Sequence, residues 1–224
     1  MFGKNRILKP KKGDGSKLDI QEIFSTFQGE CLFTGYNSIF IRLGGCNLAC
    51  SFCDTEFDNF KEMELSEIFA EIDNLTKING EKQPELAVIT GGEPFRQAIR
   101  KLCEELLKKG FLVQIETNGT LFQDLPNEVK IICSPKNVDG KYHPIRPDLL
   151  EKISAFKFLI SAKDSKYSTV PEVGQSQFNI PVYLQPIDEY NQELNQKNHE
   201  KTLELAKQSG ARVSLQTHKI WGIR

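Results

Sequence analysis

The sequence predicts a single α/β domain on a parallel sheet, and three observations predict it. Apolar, β-rich runs alternate with segments of helical spacing along most of the chain, the order that lays helices across parallel strands. Short polar motifs fall directly after the strand-like runs: Thr90-Gly91-Gly92-Glu93-Pro94, Glu116-Thr117-Asn118-Gly119, Ser134-Pro135-Lys136, Gln185-Pro186 and Gln216-Thr217-His218-Lys219. In parallel sheets that carboxyl edge is where ligands bind. A chain of 224 residues suffices for one such domain, and no Pro/Gly/Ser-rich linker divides it.

Residues 1–17 form a polar, basic arm, with Lys4, Arg6, Lys9, Lys11, Lys12, Pro10 and Gly13-Asp14-Gly15. It reads as a solvated arm packed loosely on a core domain of residues 18–224, or else as a contact for RNA or a transit receptor. Strands are expected at 18–24, 38–43, 86–89, 111–116, 129–133, 156–160, 180–184 and 213–215. Helices are expected at 65–77, with Leu65, Ile68, Phe69, Ile72 and Leu75 on one face, and at 97–109, closed by Gly110. Two more are expected near 147–153 and at 198–209, the latter stopped by Gly210, while 164–177 reads as irregular. No internal repeat or low-complexity tract interrupts the pattern.

Composition narrows the class. Apolar residues make up 39%, enough for a core, and no apolar run approaches the ~20 residues of a membrane span. The N-terminus lacks the apolar core of a secretory signal. Six cysteines without such a signal point to a reducing cytosol, where thiols are ligands or small core residues. A net charge of −1 sets up no global field for nucleic acid. The expectation is a small, soluble, cytoplasmic protein with no membrane or nucleic-acid partner.

The chemistry gathers in Cys46-Asn47-Leu48-Ala49-Cys50-Ser51-Phe52-Cys53, behind Gly44-Gly45. Thiolates at this density bind zinc or an iron–sulfur cluster, unless three core cysteines cluster by accident. A structural zinc takes four closed ligands, and no CxxC or histidine pair elsewhere completes such a set. Three thiolates can hold a cubane with one iron open.

This CxxxCxxC spacing, with an aromatic just before the last cysteine, resembles the signature of the radical S-adenosylmethionine (SAM) enzymes. The resemblance implies a [4Fe–4S] cluster on Cys46, Cys50 and Cys53, whose open iron chelates SAM and releases a 5′-deoxyadenosyl radical, with Phe52 against the adenine. Thr90 to Pro94, after the strand Leu86-Ala87-Val88-Ile89, is similar to the superfamily's glycine-rich segment that meets the methionine amino group. The architecture implied is a trimmed, partial (β/α)6-type barrel.

More specific motifs follow in order: Glu22-Ile23-Phe24 through Gln28-Gly29-Glu30, then Ile39 to Leu43, Cys53-Asp54-Thr55, Val88 to Pro94 and Ile115 to Gly119. Ser134 to Lys136, Leu184 to Pro186 and Leu215 to Lys219 complete the set. From about Leu18 to the C-terminus the chain resembles the 7-carboxy-7-deazaguanine synthase family. That implies a carbon–nitrogen lyase that contracts the ring of 6-carboxy-5,6,7,8-tetrahydropterin, after hydrogen abstraction from C6, with loss of ammonia on the route to queuosine. By the same resemblance Phe27, Gln28, Gly29, Arg42, Thr90, His218 and the terminal carboxylate of Arg224 meet the pterin. Phe52, Gly92, Glu116, Asn118, Ser134, Pro135, Lys136 and Gln185 meet SAM, and Thr55 binds Mg2+ together with substrate, since one hydroxyl is a poor lone ligand for a hard dication. A homodimer and a flavodoxin- or ferredoxin-like electron donor are also implied.

Several readings stay open. Arg42, a charge in a buried strand, pairs either with the substrate carboxylate or in a structural ion pair; Asp54 either orients the loop or is a solvated turn carboxylate. Cys103 and Cys133 read as small core residues. Cys31 stands where the family has glycine, and Arg224 where a small or apolar residue is expected. The rival functions are a glycyl-radical activase, which has no use for the QGE, CDT and QTHK motifs, and an iron–sulfur electron carrier or sensor.

Overall fold

A computed structural model describes residues 5–50, 52–53, 55–76, 83–138 and 140–224. The readings on Lys4, Asp54 and Lys77 lie outside these residues. The chain forms two compact units: Met1–Gln28, Gly35–Thr117 and Leu121–Ile131 make the first, and Gly29–Thr34, Asn118–Thr120 and Ile132–Arg224 the second.

In the first unit β1 (Lys17–Phe27) leads into β2 (Asn37–Leu43), β3 (Lys61–Glu64), α1 (Leu65–Thr76), β4 (Leu86–Gly91), α2 (Arg100–Lys108) and β5 (Leu112–Thr117). The strands lie in the order β5-β4-β2-β1-β3. β2, β4 and β5 are parallel, with Arg42 beside Thr90 and Ile89 beside Ile115. β1 and β3 add antiparallel partners. Leu86 to Ile89 are wholly buried, as befits a strand covered on both faces. α1 buries Ile68 and Ile72, and α2 buries Leu102, Cys103 and Leu106, at the helical spacing the sequence shows.

In this unit two boundaries and one extra strand differ from expectation. β1 runs on to Phe27 because Thr26 and Phe27 still pair with Ser38 and Asn37. The second helix begins at Arg100 rather than at Gln97. Gln97 is held inward instead, its Oε1 accepting the Asp19 N–H at 2.6 Å and its Nε2 donating to the Asp19 carbonyl at 3.1 Å. β3 was not expected; Lys-Glu-Met-Glu has no β-branched residue and turns only Met63 into the core.

β6 (Lys130–Cys133) has its last two residues in the second unit, where it is followed by a small hairpin, β7 (Asn137–Val138) and β8 (Lys141–Tyr142), and by α3 (Pro147–Leu150). Then come β9 (Ile153–Ile160), β10 (Val182–Pro186), α4 (Gln192–Ser209), β11 (Arg212–Val213) and α5 (Thr217–Trp221). The order is β11-β10-β9-β6, with β9, β10 and β11 parallel. The fold is thus mixed α/β with a parallel core, and its strands are open rather than closed into a barrel. α4 starts earlier than its apolar spacing suggests because Asn191 caps it, accepting the Leu194 N–H at 3.0 Å. It ends at Gly210, in the left-handed conformation with φ 69°. α5 was not expected and carries His218 and Lys219. Among the described residues no helix is long and apolar enough to cross a membrane.

Candidate active site

The first unit builds a thiol loop at the carboxyl end of β2. There Gly45 takes φ 77° and its N–H bonds the Phe57 carbonyl at 2.9 Å, folding the loop back on itself. Gly91 and Gly92, at the exit of β4, lie against it. A Cβ on Gly92 would stand 1.9 Å from the Gly45 carbonyl oxygen, and one on Gly91 would stand 2.2 Å from that of Leu43. Glycine is therefore required here by backbone contact alone, whatever Gly92 also offers a ligand. Glu93, fully buried, fixes the next turn by accepting from the Thr117 hydroxyl at 2.7 Å and the Phe95 N–H at 3.0 Å.

Cys46 is buried, while Cys50 and Cys53 are partly exposed. The Leu48 N–H points at Cys46 Sγ from 3.4 Å. Burial pushes the Cys46 thiol up to about 12, and Glu93, Cys50 and Cys53 add to the rise. Phe52 sits half-buried in the turn before Cys53.

Beside the loop, Arg42 and Thr55 meet. Arg42 donates from Nε to Glu22 at 2.7 Å and from one terminal nitrogen to Thr55 Oγ1 at 3.5 Å, with its guanidinium 5.8 Å from the Phe24 ring centre. Glu116, at the end of β5, gathers a second group. It accepts from Gln28 Nε2 at 3.3 Å, Gln114 Nε2 at 3.2 Å and Thr90 Oγ1 at 3.4 Å. Gln28 and Thr90, expected on the pterin, and Glu116, expected on SAM, are thus one hydrogen-bonded set. Phe27 ends β1 with its side chain largely exposed.

In the second unit Gly29-Glu30 and the Gln-Thr-His-Lys motif form one construction. Gly29 accepts through its carbonyl from the Thr217 N–H at 3.0 Å and the Thr217 hydroxyl at 3.2 Å. A Cβ on Gly29 would lie 2.2 Å from His218 Nδ1, so only glycine fits. Glu30 binds Lys157 from β9 and accepts from Gln216 Nε2 at 2.9 Å. Burial alone would raise the Glu30 carboxyl, but Lys157, Gln216 and His218 outweigh it and hold it at about 2. Cys31, with φ 59°, donates its N–H to Ser214 Oγ at 2.9 Å, and Ser214 donates to Gln185 Oε1 at 3.0 Å. Its thiol side packs on Ile132, Ala155 and Tyr183. A small apolar side chain therefore occupies a left-handed position that costs roughly 1–2 kcal/mol.

The remaining expected SAM residues are also in this unit. Asn118 Oδ1 is turned into its own loop by the Thr120 N–H at 3.0 Å and hydroxyl at 2.6 Å. Lys136 Nζ donates to Ser134 Oγ at 2.6 Å, and Pro135 and Gln185 are buried. His218 is half-buried, and Arg224 is exposed at the terminus. Cys103 and Cys133 are core residues, as the sequence suggests.

The chain matches the Radical SAM superfamily over residues 40–138. It is 54% identical to the 7-carboxy-7-deazaguanine synthase of Rickettsia prowazekii (strain Madrid E) over 224 residues, 100% of this chain and 96% of that protein. It is 36% identical to the synthase of Rhodospirillum rubrum, covering 98% of each chain. The chain belongs to the 7-carboxy-7-deazaguanine synthase family. A solved structure titled QueE from Escherichia coli superposes with a TM-score of 0.69 at 28% identity, covering 89% of this chain and 93% of that one.

Membership in the synthase family implies SAM and a [4Fe–4S] cluster, and the thiol loop fits a cluster. Among the described residues no three His, Cys, Asp or Glu side chains close around a single metal ion. A cubane does not ask for that, since each thiolate binds its own iron at a separate corner. Two contributors in this family member escaped the sequence reading. Lys157 neutralises Glu30, and its signal was a lone charge inside the apolar run of β9. The N-terminal arm was expected to pack loosely; instead Ile7 and Leu8 bridge to Cys46.

Proposed function

We propose that this chain converts 6-carboxy-5,6,7,8-tetrahydropterin to 7-carboxy-7-deazaguanine and ammonia, in queuosine biosynthesis. Cys46, Cys50 and Cys53 hold the cluster in this reading. When bound, the cluster and SAM supply the one-electron chemistry that starts hydrogen abstraction from C6 of the pterin. The substrate is the sum of product and ammonia, so the rearrangement consumes no net reductant.

The chain's own residues bind and orient. Arg42 is held by Glu22 with a terminal nitrogen still directed at Thr55, a geometry suited to steering a carboxylate toward the Thr55 hydroxyl. Thr55 alone cannot satisfy a cation that prefers six oxygens, so Mg2+ enters with the substrate carboxylate and waters. Gln28 and Thr90 offer amide and hydroxyl groups to the donor-rich ring edge. Gly92, Glu116, Asn118, Ser134, Pro135, Lys136 and Gln185 serve SAM, with Phe52 against the adenine. His218 and Arg224 serve the pterin. A homodimer, a cytoplasmic location and a flavodoxin- or ferredoxin-like donor complete the reading.

The observation that carries this proposal is the joining of the Gln-Gly-Glu and Gln-Thr-His-Lys motifs at Gly29, whose carbonyl accepts from Thr217 and where His218 leaves room only for glycine. A glycyl-radical activase or an electron carrier has no need of that joint. The test is anaerobic turnover of the reconstituted protein with the carboxytetrahydropterin, SAM, Mg2+ and reductant. The deazapurine acid and ammonia should appear in equal amounts. SAM cleavage without any deazapurine refutes the proposal.

A further inference from the structure

The basic arm makes contacts that nothing in the synthase reading assigns. Asn5 donates from Nδ2 to the Thr55 carbonyl at 2.8 Å and toward Cys53 Sγ at 3.8 Å. Its Oδ1 accepts the Phe57 N–H at 3.3 Å. One carboxamide thus spans the segment from the last thiol past Thr55. The Arg6 N–H donates to Asp58 at 2.8 Å. Ile7 forms a parallel bridge with Cys46, whose carbonyl accepts the Leu8 N–H at 2.7 Å.

Beyond the thiol loop the arm is tied down again. Lys11 donates its N–H to the Arg96 carbonyl at 2.7 Å, and its ammonium binds both Asp19 and Glu62. Arg96 is buried and donates to Asp19 at 2.7 Å and to the Gly44 carbonyl at 2.9 Å. The arm is therefore anchored on the residues that begin the loop and on those that end it. Backbone bonds at Leu8 and Lys11 fix its path whatever its side-chain charges do.

We infer that the arm is a structural part of the cluster site, in which Asn5 is a positioning residue that donates an N–H to the Cys53 thiolate and thereby sets the ease of cluster reduction. The inference rests on the reading of Cys46, Cys50 and Cys53 as ligands. A donor aimed at a coordinating sulfur stabilises negative charge on it, and so favours the reduced cluster, which carries one more electron. The same carboxamide holds Cys53 and Thr55 at fixed separation, so one side chain links the cluster loop to the proposed Mg2+ ligand.

The test uses the anaerobically reconstituted full chain. Its readouts are iron and sulfide content, a potentiometric titration followed by electron paramagnetic resonance, and the rate at which the cluster's visible absorbance bleaches in air. Asn5→Ala should keep the cluster yet lower the ratio of reduced to oxidised cluster at a fixed potential about two- to tenfold, the worth of one hydrogen bond, and should bleach faster. Asn5→Asp keeps the acceptor for Phe57, removes the donor and adds negative charge, so it should lower the ratio further. Arg6→Ala, altered at the exposed rim, should behave as wild type. If Asn5→Ala does not fold, Asn5→Asp decides. Unchanged potential and bleaching in the Asn5 variants overturn the inference while leaving the synthase reading intact. Failure of the wild type to form any [4Fe–4S] signal refutes the ligand assignment itself.

Discussion

Lys157→Met is the sharpest probe of the second unit. Lys157 and Glu30 are 6% and 13% exposed, so neither charge can fall back on water. Removing one partner of such a pair costs ~3–5 kcal/mol, because the other charge stays buried alone. In the wild type the Glu30 carboxyl is lowered from 4.5 to about 2. The pair's contribution is therefore present above the unfolded value and lost as pH falls toward the folded one. In Lys157→Met only Gln216 and His218 still oppose the desolvation of Glu30, the largest single influence on it, and its folded value should rise above the unfolded one. The penalty is then absent at acid pH and grows as pH rises. The assay is urea unfolding with the three loop thiols replaced by serine, so that cluster loss stays out of the transition. Lys157→Met should lose ~3–5 kcal/mol at pH 7. The double variant Glu30→Gln/Lys157→Met should recover much of that loss. The gap between the two variants should close near pH 4 and widen by up to about 1.4 kcal/mol per pH unit above it. A loss below ~1 kcal/mol at pH 7, the scale of a surface pair, or a gap indifferent to pH, refutes the reasoning.

Cys46→Ala, Cys50→Ala and Cys53→Ala should each abolish the [4Fe–4S] signal and all SAM cleavage, while Cys103→Ala keeps both; full cluster occupancy in any of the first three contradicts the ligand set. Thr55→Ala should weaken the Mg2+ dependence of turnover and leave SAM binding nearly intact, so a wild-type response to added Mg2+ would remove Thr55 from the metal site.

What the sequence made legible is what local chemistry determines. The thiol spacing lies within eight residues, and the buried run Leu86 to Ile89 announces a central strand by its lack of polar side chains. Pairings across long separations were not legible. Glu30 and Lys157 are 127 positions apart, and Gln28 and Glu116 are 88 apart. Nothing in either segment alone says that they meet. The arm misled for another reason. Its lysines read as solvated, yet its position is set mainly by backbone bonds at Leu8 and Lys11, which composition cannot report. Cys31 shows the reverse case: the resemblance marks it as a departure from glycine, and the structure keeps the left-handed backbone that glycine would take.

In the proposed reaction the ring contraction starts with removal of hydrogen from C6 of the pterin. Substrate deuterated at C6 probes that step, incubated anaerobically with the reconstituted protein, SAM, Mg2+ and reductant. Mass spectrometry should find deuterium at the 5′ carbon of SAM or of 5′-deoxyadenosine, together with the deazapurine acid. Deazapurine formed with no label in either molecule would contradict the account.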